Sequence, residues 1–450
     1  MKIKVPVQLK QLAKKLDKPI YVVGGYVRNY LIDKSLSSDI DVCSATDVDT
    51  LSKILTELGF SIKAVYKRLG TVKFSKDGID FEYTRFRTDS YKEGGAHKPE
   101  STIFTDDICV DALRRDFKCN AIYYDVKNEV LVDPLGGKGD VDKKVISTVT
   151  DPEKVFASDG LRLMRLARFS AELGFEIDSE TFKGAKKYAK NVLDIKPERI
   201  YDELKKILVA DAKYPFSPKR AHYNGLKVLE TSRVLDYIMP ELTLGRGMPQ
   251  RSDFHDYDVL EHSLRCALYA DREVRLDALL HDVAKPYCYN RDGMYYHHAT
   301  EGIKMSEDIL LRLKAPKKDI ERVKFTVGSH MIDLKGDASE PSIRKFIVKN
   351  QKYLDQLFRV RQADYSACKD DVNENAGVRK WKNILQNMKD EGVAFSVREL
   401  KVSAMDLVDC GIEKENLKST LDYLLEEVAV SPKLNEKNTL IQMAIKRRGA

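Results

Sequence analysis

The first 150 residues mix two hydrophobic periods. Short runs such as YVVGG, DIDVCS, TVKFS, IDFEYTRFR and NAIYYDV predict β-strands, while VDTLSKILTELGF carries helical spacing. Together they predict a small α+β domain over residues 1–150. From DPEKVF onward the period turns helical and stays so to the C-terminus, broken by prolines at 197, 215, 218, 240, 249, 286, 316 and 341. In SDGLRLMRLARFSAELGF, Leu161, Met164, Leu166 and Phe169 fall near one helical face with Arg162, Arg165 and Arg168 interleaved. Ser158 and Asp159 stand where an N-cap belongs. YKEGGAHKPES (91–101) has glycine, proline and charge without an apolar period, and reads as a mobile loop.

Composition bounds this picture without deciding it. At 450 residues, 43% hydrophobic and 33% charged, the chain is expected to form two to four domains with full cores under a charged surface. No stretch approaches the roughly 20 apolar residues of a membrane span. The opening MKIKVPVQLKQLAKKL lacks the apolar block of a signal peptide. Seven scattered cysteines without a CxxC pair read as free thiols in a reducing compartment, so a cytoplasmic protein with no membrane partner is expected. A net charge of +7 permits a polyanionic partner without requiring one, and the oligomeric state stays open.

The stretch GGYVRNYLIDKSLSSDIDV (24–42) carries candidate chemistry. In a strand, positions i and i+2 share a face, so Asp39 and Asp41 project together while Ile40 and Val42 point inward. Two carboxylates so placed can bridge two Mg²⁺ ions roughly 3.5–4 Å apart for phosphoryl or nucleotidyl transfer. Gly24 and Gly25 let backbone approach a triphosphate, and Arg28 can neutralise it. The bland alternative is a polar strand face behind a tight turn.

GGYVR (24–28), DID (39–41), LRRDFKCNA (113–121), DPLGG (133–137), SDGLRLMRLARFSAELGF (158–175) and ERIYDELKKIL (198–208) follow in order over about 210 residues. This series resembles the bacterial class II tRNA nucleotidyltransferase and poly(A) polymerase family. The resemblance implies a metal-bearing head (1–150) and a helical neck and body (151–245) that binds tRNA, with CTP and ATP as substrates added to tRNA 3′ ends without a template. It assigns catalysis to Asp39 and Asp41, base reading to Asp159 and Arg162, and ribose and phosphate contacts to Arg114 and Arg115. Asp116 and Asn120 position these, and Arg165 and Arg168 are further phosphate candidates. The sequence departs from the family at Asn29 and Ser158, where acids are usual, which puts the set of Arg162 in question. Arg199 and Glu203 read as a structural pair. Lys183, Lys186, Lys187, Lys190, Lys205 and Lys206 form a stripe able to track phosphates, although most such runs are solvated faces. Alternatives are a poly(A) polymerase, a partial CC- or A-adding enzyme, or a hydrolase with an inactive head.

Six of eight histidines fall between 255 and 330. DVLEHSL, DALLHDVAKP, YYHHATEG, VGSHM and RQADYSA resemble the HD phosphohydrolase superfamily and place such a domain at 246–370, with a helical tail at 371–450. By that resemblance His262, His281, Asp282 and Asp364 bind a divalent metal (Mn, Ni, Co, Zn or Mg), and His298 and His330 complete a second metal site or contact phosphate. His255 and His297 read as bystanders. A lone histidine here is more often a packing residue; four motifs in series shift the balance toward a metal site with hydrolase activity on 2′,3′-cyclic or terminal phosphates.

Overall fold

The computed structural model describes residues 2–34, 40–90 and 100–448. The chain divides into two units, Met1–Thr243 and Leu244–Ala450. An α+β head is followed by helices to the C-terminus, as the periodicity predicts.

The sheets of the head are built from β1 (Ile20–Val23), β2 (Ile40–Ser44), β3 (Ser61–Tyr66), β4 (Thr71–Lys76), β5 (Ile79–Arg85), β6 (Arg87–Ser90), β7 (Ser101–Phe104), β8 (Tyr123–Asp125) and β9 (Val130–Val132). Seven form one sheet in the order β3-β4-β5-β2-β1-β8-β9, and β6 pairs with β7 in a separate ribbon. Only β2 and β5 run parallel in the large sheet. The sheet's core is aromatic, with Phe74 stacked on Phe81 at 5.2 Å. In β2 the alternation holds at the predicted place, with Ile40 and Val42 buried and Asp41 exposed. Asp39 and residues 91–99 of the expected loop lie outside the described residues. Ser101, assigned to that loop from sequence, begins β7 instead. The sequence reading also passed over β3, whose burial alternates only weakly.

The helix Leu161–Leu173 buries Leu161, Leu163, Met164, Leu166 and Phe169, and also Arg162. Its start differs from the expected N-cap pair. Ser158 ends the preceding helix Pro152–Ser158, and Gly160 is the boundary residue. Asp159 still caps, because its Oδ1 accepts the Leu161 N–H at 2.9 Å.

In the second unit Trp381, 1% exposed, packs edge-on to Phe346 and Phe358. Its indole N–H donates to Asp333 Oδ2 at 2.8 Å. One apolar cluster there runs from Ile343 and Phe358 through Val378 to Leu440 and Ala444. No helix among the described residues is long and apolar enough to cross a membrane.

Candidate functional site

β1 ends in the glycine pair. Gly24 adopts a φ of 73° as the chain turns into the helix Gly25–Asp33. Only glycine holds that backbone without strain, and a Cβ there would lie 3.5 Å from Asp41 Oδ2. The turn therefore sits directly beside the strand carboxylate.

Together they open a cavity of about 880 Å³. Its lining includes every described residue expected at the nucleotide site: Gly24, Gly25, Arg28, Asp41, Arg114, Arg115, Asp116, Asn120, Asp159, Arg162, Arg165 and Arg168. Lys67, Arg68, Arg87, Arg199 and Lys213 add to the wall, giving eleven cationic side chains against four aspartates. A site with that surplus in a concave, partly dry space favours a polyanion.

Each arginine is fixed in its own way. Arg28 is 1% exposed, and its guanidinium donates to Asn29 Oδ1 (3.2 and 3.0 Å), Asn120 Oδ1 and Tyr214 Oη (3.2 Å). These acceptors are neutral, so Asn29 orients the cation where an acid would also have neutralised it. Arg162 donates to Val155 O (3.2 Å), Ser158 Oγ (3.1 Å) and Arg114 O (2.7 Å). The Ser158 hydroxyl thus supplies the anchor that an acid would have given, without the charge.

Arg114 and Arg115 share one buried acid that the sequence reading missed. Asp111, 0% exposed, accepts from Arg114 Nε at 2.7 Å, Arg115 Nη2 at 3.0 Å and Tyr123 Oη at 2.8 Å. Its spacing of three and four residues before the arginines is the helical ion-pair signature, which makes it legible in retrospect. Burial would raise its carboxyl, but the charges of Arg115 and Arg114 outweigh this and lower it. Asp116 accepts from Arg165 Nε at 2.7 Å and Asn120 Nδ2 at 3.1 Å. There too burial opposes ionisation, and the Arg165 charge with these hydrogen bonds brings the carboxyl down to about 2.

Arg168 pairs with Glu203 at 2.8 Å and approaches Glu172 at 3.7 Å, so Arg165 and Arg168 both reach the cavity already partnered by acids. Glu203 is engaged by Arg168 at 2.8 Å and by Lys206 at 2.9 Å. In the lysine stripe, Lys183 and Lys187 pair with Glu180 and Glu153 at the surface. Tyr214 had no sequence signal.

The second unit assembles the histidine cluster from separate helices. His262 lies in Val259–Tyr269, Asp364 in Leu354–Lys369, and His281 follows Arg275–Leu280. That last helix is tied down by buried Asp277, which accepts from Arg322 Nε (3.0 Å) and Nη2 (2.9 Å). His298 starts the next long helix and His330 follows Lys317–Ser329. Asp282 Oδ2 is 3.1 Å from His281 Nε2 and 3.5 Å from His262 Nε2, while Oδ1 is 3.2 Å from His298 Nε2 and 3.5 Å from His330 Nε2. Asp364 Oδ1 lies 3.0 Å from His262 Nε2. The Nδ1–H groups of His281, His298 and His330 donate to carbonyls three residues back, each at 2.7 Å. That leaves Nε2 as the inward lone pair, the tautomer a metal requires. Two sets of nitrogen and oxygen donors thus face one shared carboxylate, and this chemistry fits divalent transition ions. His255, read as a bystander, stacks edge-on to His262 at 4.8 Å and forms a further donor group with His262 and Cys368.

Comparison with known proteins places the first unit. Residues 20–147 match the poly A polymerase head domain, and residues 174–244 match the probable RNA and SrmB-binding site of polymerase A. The chain is 33% identical to the A-adding tRNA nucleotidyltransferase of Deinococcus radiodurans over 288 residues, 59% of this chain and 62% of that protein. It is 37% identical to the CCA-adding enzyme of Bacillus pumilus over 188 residues, 42% and 45% of the two. It therefore spans less than two thirds of the length of either relative. The solved CCA-adding enzyme of Bacillus stearothermophilus in complex with CTP superposes with a TM-score of 0.69 at 22% identity, over 98% of this chain and 96% of that one. At that identity the likeness is one of fold.

Proposed function

We propose that the chain is a CCA-adding tRNA nucleotidyltransferase, transferring CMP and AMP from CTP and ATP to the 3′ hydroxyl of tRNA. The observation that carries this reading is the single cavity in which Asp41, the glycine turn, the Asp111-held arginines and the Asp159–Arg162 pair converge. Asp41, with Asp39 beside it in sequence, offers the hard oxygen donors that Mg²⁺ takes. When bound there, the ion would neutralise developing charge on the α-phosphate and the departing pyrophosphate. Arg28 is oriented by neutral hydrogen-bond acceptors, which suits it to meet the triphosphate. Arg114 and Arg115 would hold ribose and phosphates in fixed directions, so that little order remains to be created on binding.

Base choice would rest on Asp159 and Arg162. Cytosine and adenine each present an amino donor beside a ring-nitrogen acceptor, and a carboxylate next to a guanidinium complements that edge. Uracil and guanine put a carbonyl where the amino group should be, leaving buried groups unpaired. Three of Arg162's five N–H groups are occupied by the wall, which fixes its plane while leaving donors for a base.

The test is incubation with Mg²⁺ and tRNA ending at its discriminator base, with CTP, ATP or both, followed by sequencing of the 3′ ends. CC from CTP alone and CCA from both is the expected result. Addition of A only to a tRNA already ending in CC would identify an A-adding enzyme, and long A tails a poly(A) polymerase.

A second activity is favoured by the shared carboxylate of Asp282 and the pinned histidine tautomers. The cluster would hold divalent metals and hydrolyse phosphate esters, with 2′,3′-cyclic phosphates the fitting class. Water's oxygen would form a new P–O bond, one ring P–O bond would break, and a proton would go to the freed sugar oxygen. Calorimetric titration with Mn²⁺ or Ni²⁺ should find two ions per chain at this cluster. His330→Ala should lose one, and Asp282→Ala should lose both because each set of histidines faces one of its oxygens. Full metal binding by Asp282→Ala would overturn the assignment.

A further inference from the structure

The helix Lys285–Asp292 begins three residues beyond Asp282, and Lys285 Nζ pairs with Asp282 Oδ2 at 2.6 Å. One turn later on the same helical face stands Tyr289. Its ring stacks on Tyr295, with centroids 5.2 Å apart and planes 27° from parallel. Lys285 Nζ in turn lies 6.0 Å from the centre of the Tyr295 ring. Tyr295 is fixed at both ends. Its hydroxyl donates to Pro249 O at 2.6 Å, and its carbonyl accepts the Nδ1–H of His298 at 2.7 Å. The stacked rings are therefore tied into the histidine cluster through Lys285 on one side and His298 on the other.

Despite that rigid mounting, Tyr289 remains 41% exposed. An aromatic face held beside a lysine, next to donors that suit metals and phosphate, has the chemistry that receives a base and its phosphate together. We propose that Tyr289, stacked on Tyr295, is a base platform for the nucleoside whose 2′,3′-cyclic or terminal phosphate enters the histidine cluster. The substrate is then an RNA 3′ end rather than a phosphate ester without a base. This rests on the hydrolase reading above. Every base has a π-face, so the platform accepts any terminal nucleotide, and no group in the pair reads a base edge.

The experiment uses the full chain loaded with Mn²⁺ or Ni²⁺ and three substrates that share a five-membered cyclic phosphate. These are a short RNA ending in a 2′,3′-cyclic phosphate, 2′,3′-cyclic AMP, and glycerol 1,2-cyclic phosphate, which has no base. Tyr289→Ala should raise KM about tenfold for the two nucleoside substrates with kcat unchanged, and leave the glycerol ester unaffected. Tyr289→Phe should behave as wild type. Turnover of the RNA well above that of free cyclic AMP assigns the site to RNA ends, and equal turnover to free nucleotides. A catalysis-independent measure is saturation-transfer NMR of 3′-UMP, whose base lacks the amino group that the head cavity would read, on metal-free protein. The base protons should receive magnetisation in wild type and Tyr289→Phe but not in Tyr289→Ala. Equal effects of Tyr289→Ala on all three esters, or no base contact in wild type, overturns the platform. If no ester is hydrolysed while base contact persists, the hydrolase reading falls and the binding role of Tyr289 stands.

Discussion

Asp41→Asn is expected to lower incorporation of both CMP and AMP by about a thousandfold. The amide keeps the size of the carboxylate and its place on the exposed face of β2, but removes the charge that a divalent ion needs. Nucleotide binding should survive, because the eleven cations lining the cavity are untouched. The loss should therefore appear in kcat, while Kd for CTP and ATP measured in EDTA stays within about twofold of wild type. Retention of more than a tenth of the activity would remove Asp41 from the reaction centre.

Asp111→Asn should do its damage by a different route. One buried carboxylate compensates Arg114 and Arg115, and also accepts from Tyr123. Its neutralisation leaves two guanidinium groups crowded together with only Asp89, 3.9 Å from Arg114, as a nearby acid among the ion pairs of the described residues. Breaking a buried pair of this sort costs about 3–5 kcal/mol, so the urea midpoint should fall markedly at neutral pH. Transfer should fall as well, since both arginines lose their fixed direction. The pH dependence follows from the lowered carboxyl. A depressed native pKa stabilises the fold above the unfolded value and is lost as pH falls through the native one, so the gap between variant and wild type should narrow in acid. A gap independent of pH would show that packing rather than charge holds the pair.

The contrast between Asp41 and Asp111 marks what could be read from the sequence. Asp41 follows from a two-residue period and a glycine turn, both local. The fold class follows in the same way, because strand alternation and helical spacing are written in adjacent residues. Asp111 was equally local in spacing, but its importance depends on being buried, which no short pattern announces. Tyr214 is further from reach. It contacts Arg28 across 186 positions of sequence, and only the folded chain brings them together. Asn29 and Ser158 taught the reverse lesson. As letters they were departures from an acidic pattern; as side chains they hold Arg28 and Arg162 by neutral oxygens. The histidine cluster was legible because its motifs recur in series. The tautomers and the two-sided use of Asp282 were not, since they depend on which carbonyl lies behind each ring.

All the nucleotide-cavity side chains lie before residue 243, and all the histidine-cluster donors lie after it. Inheritance can therefore treat them as separate traits. If both proposed chemistries hold, a lineage that no longer needs one could let its residues drift without changing a side chain of the other.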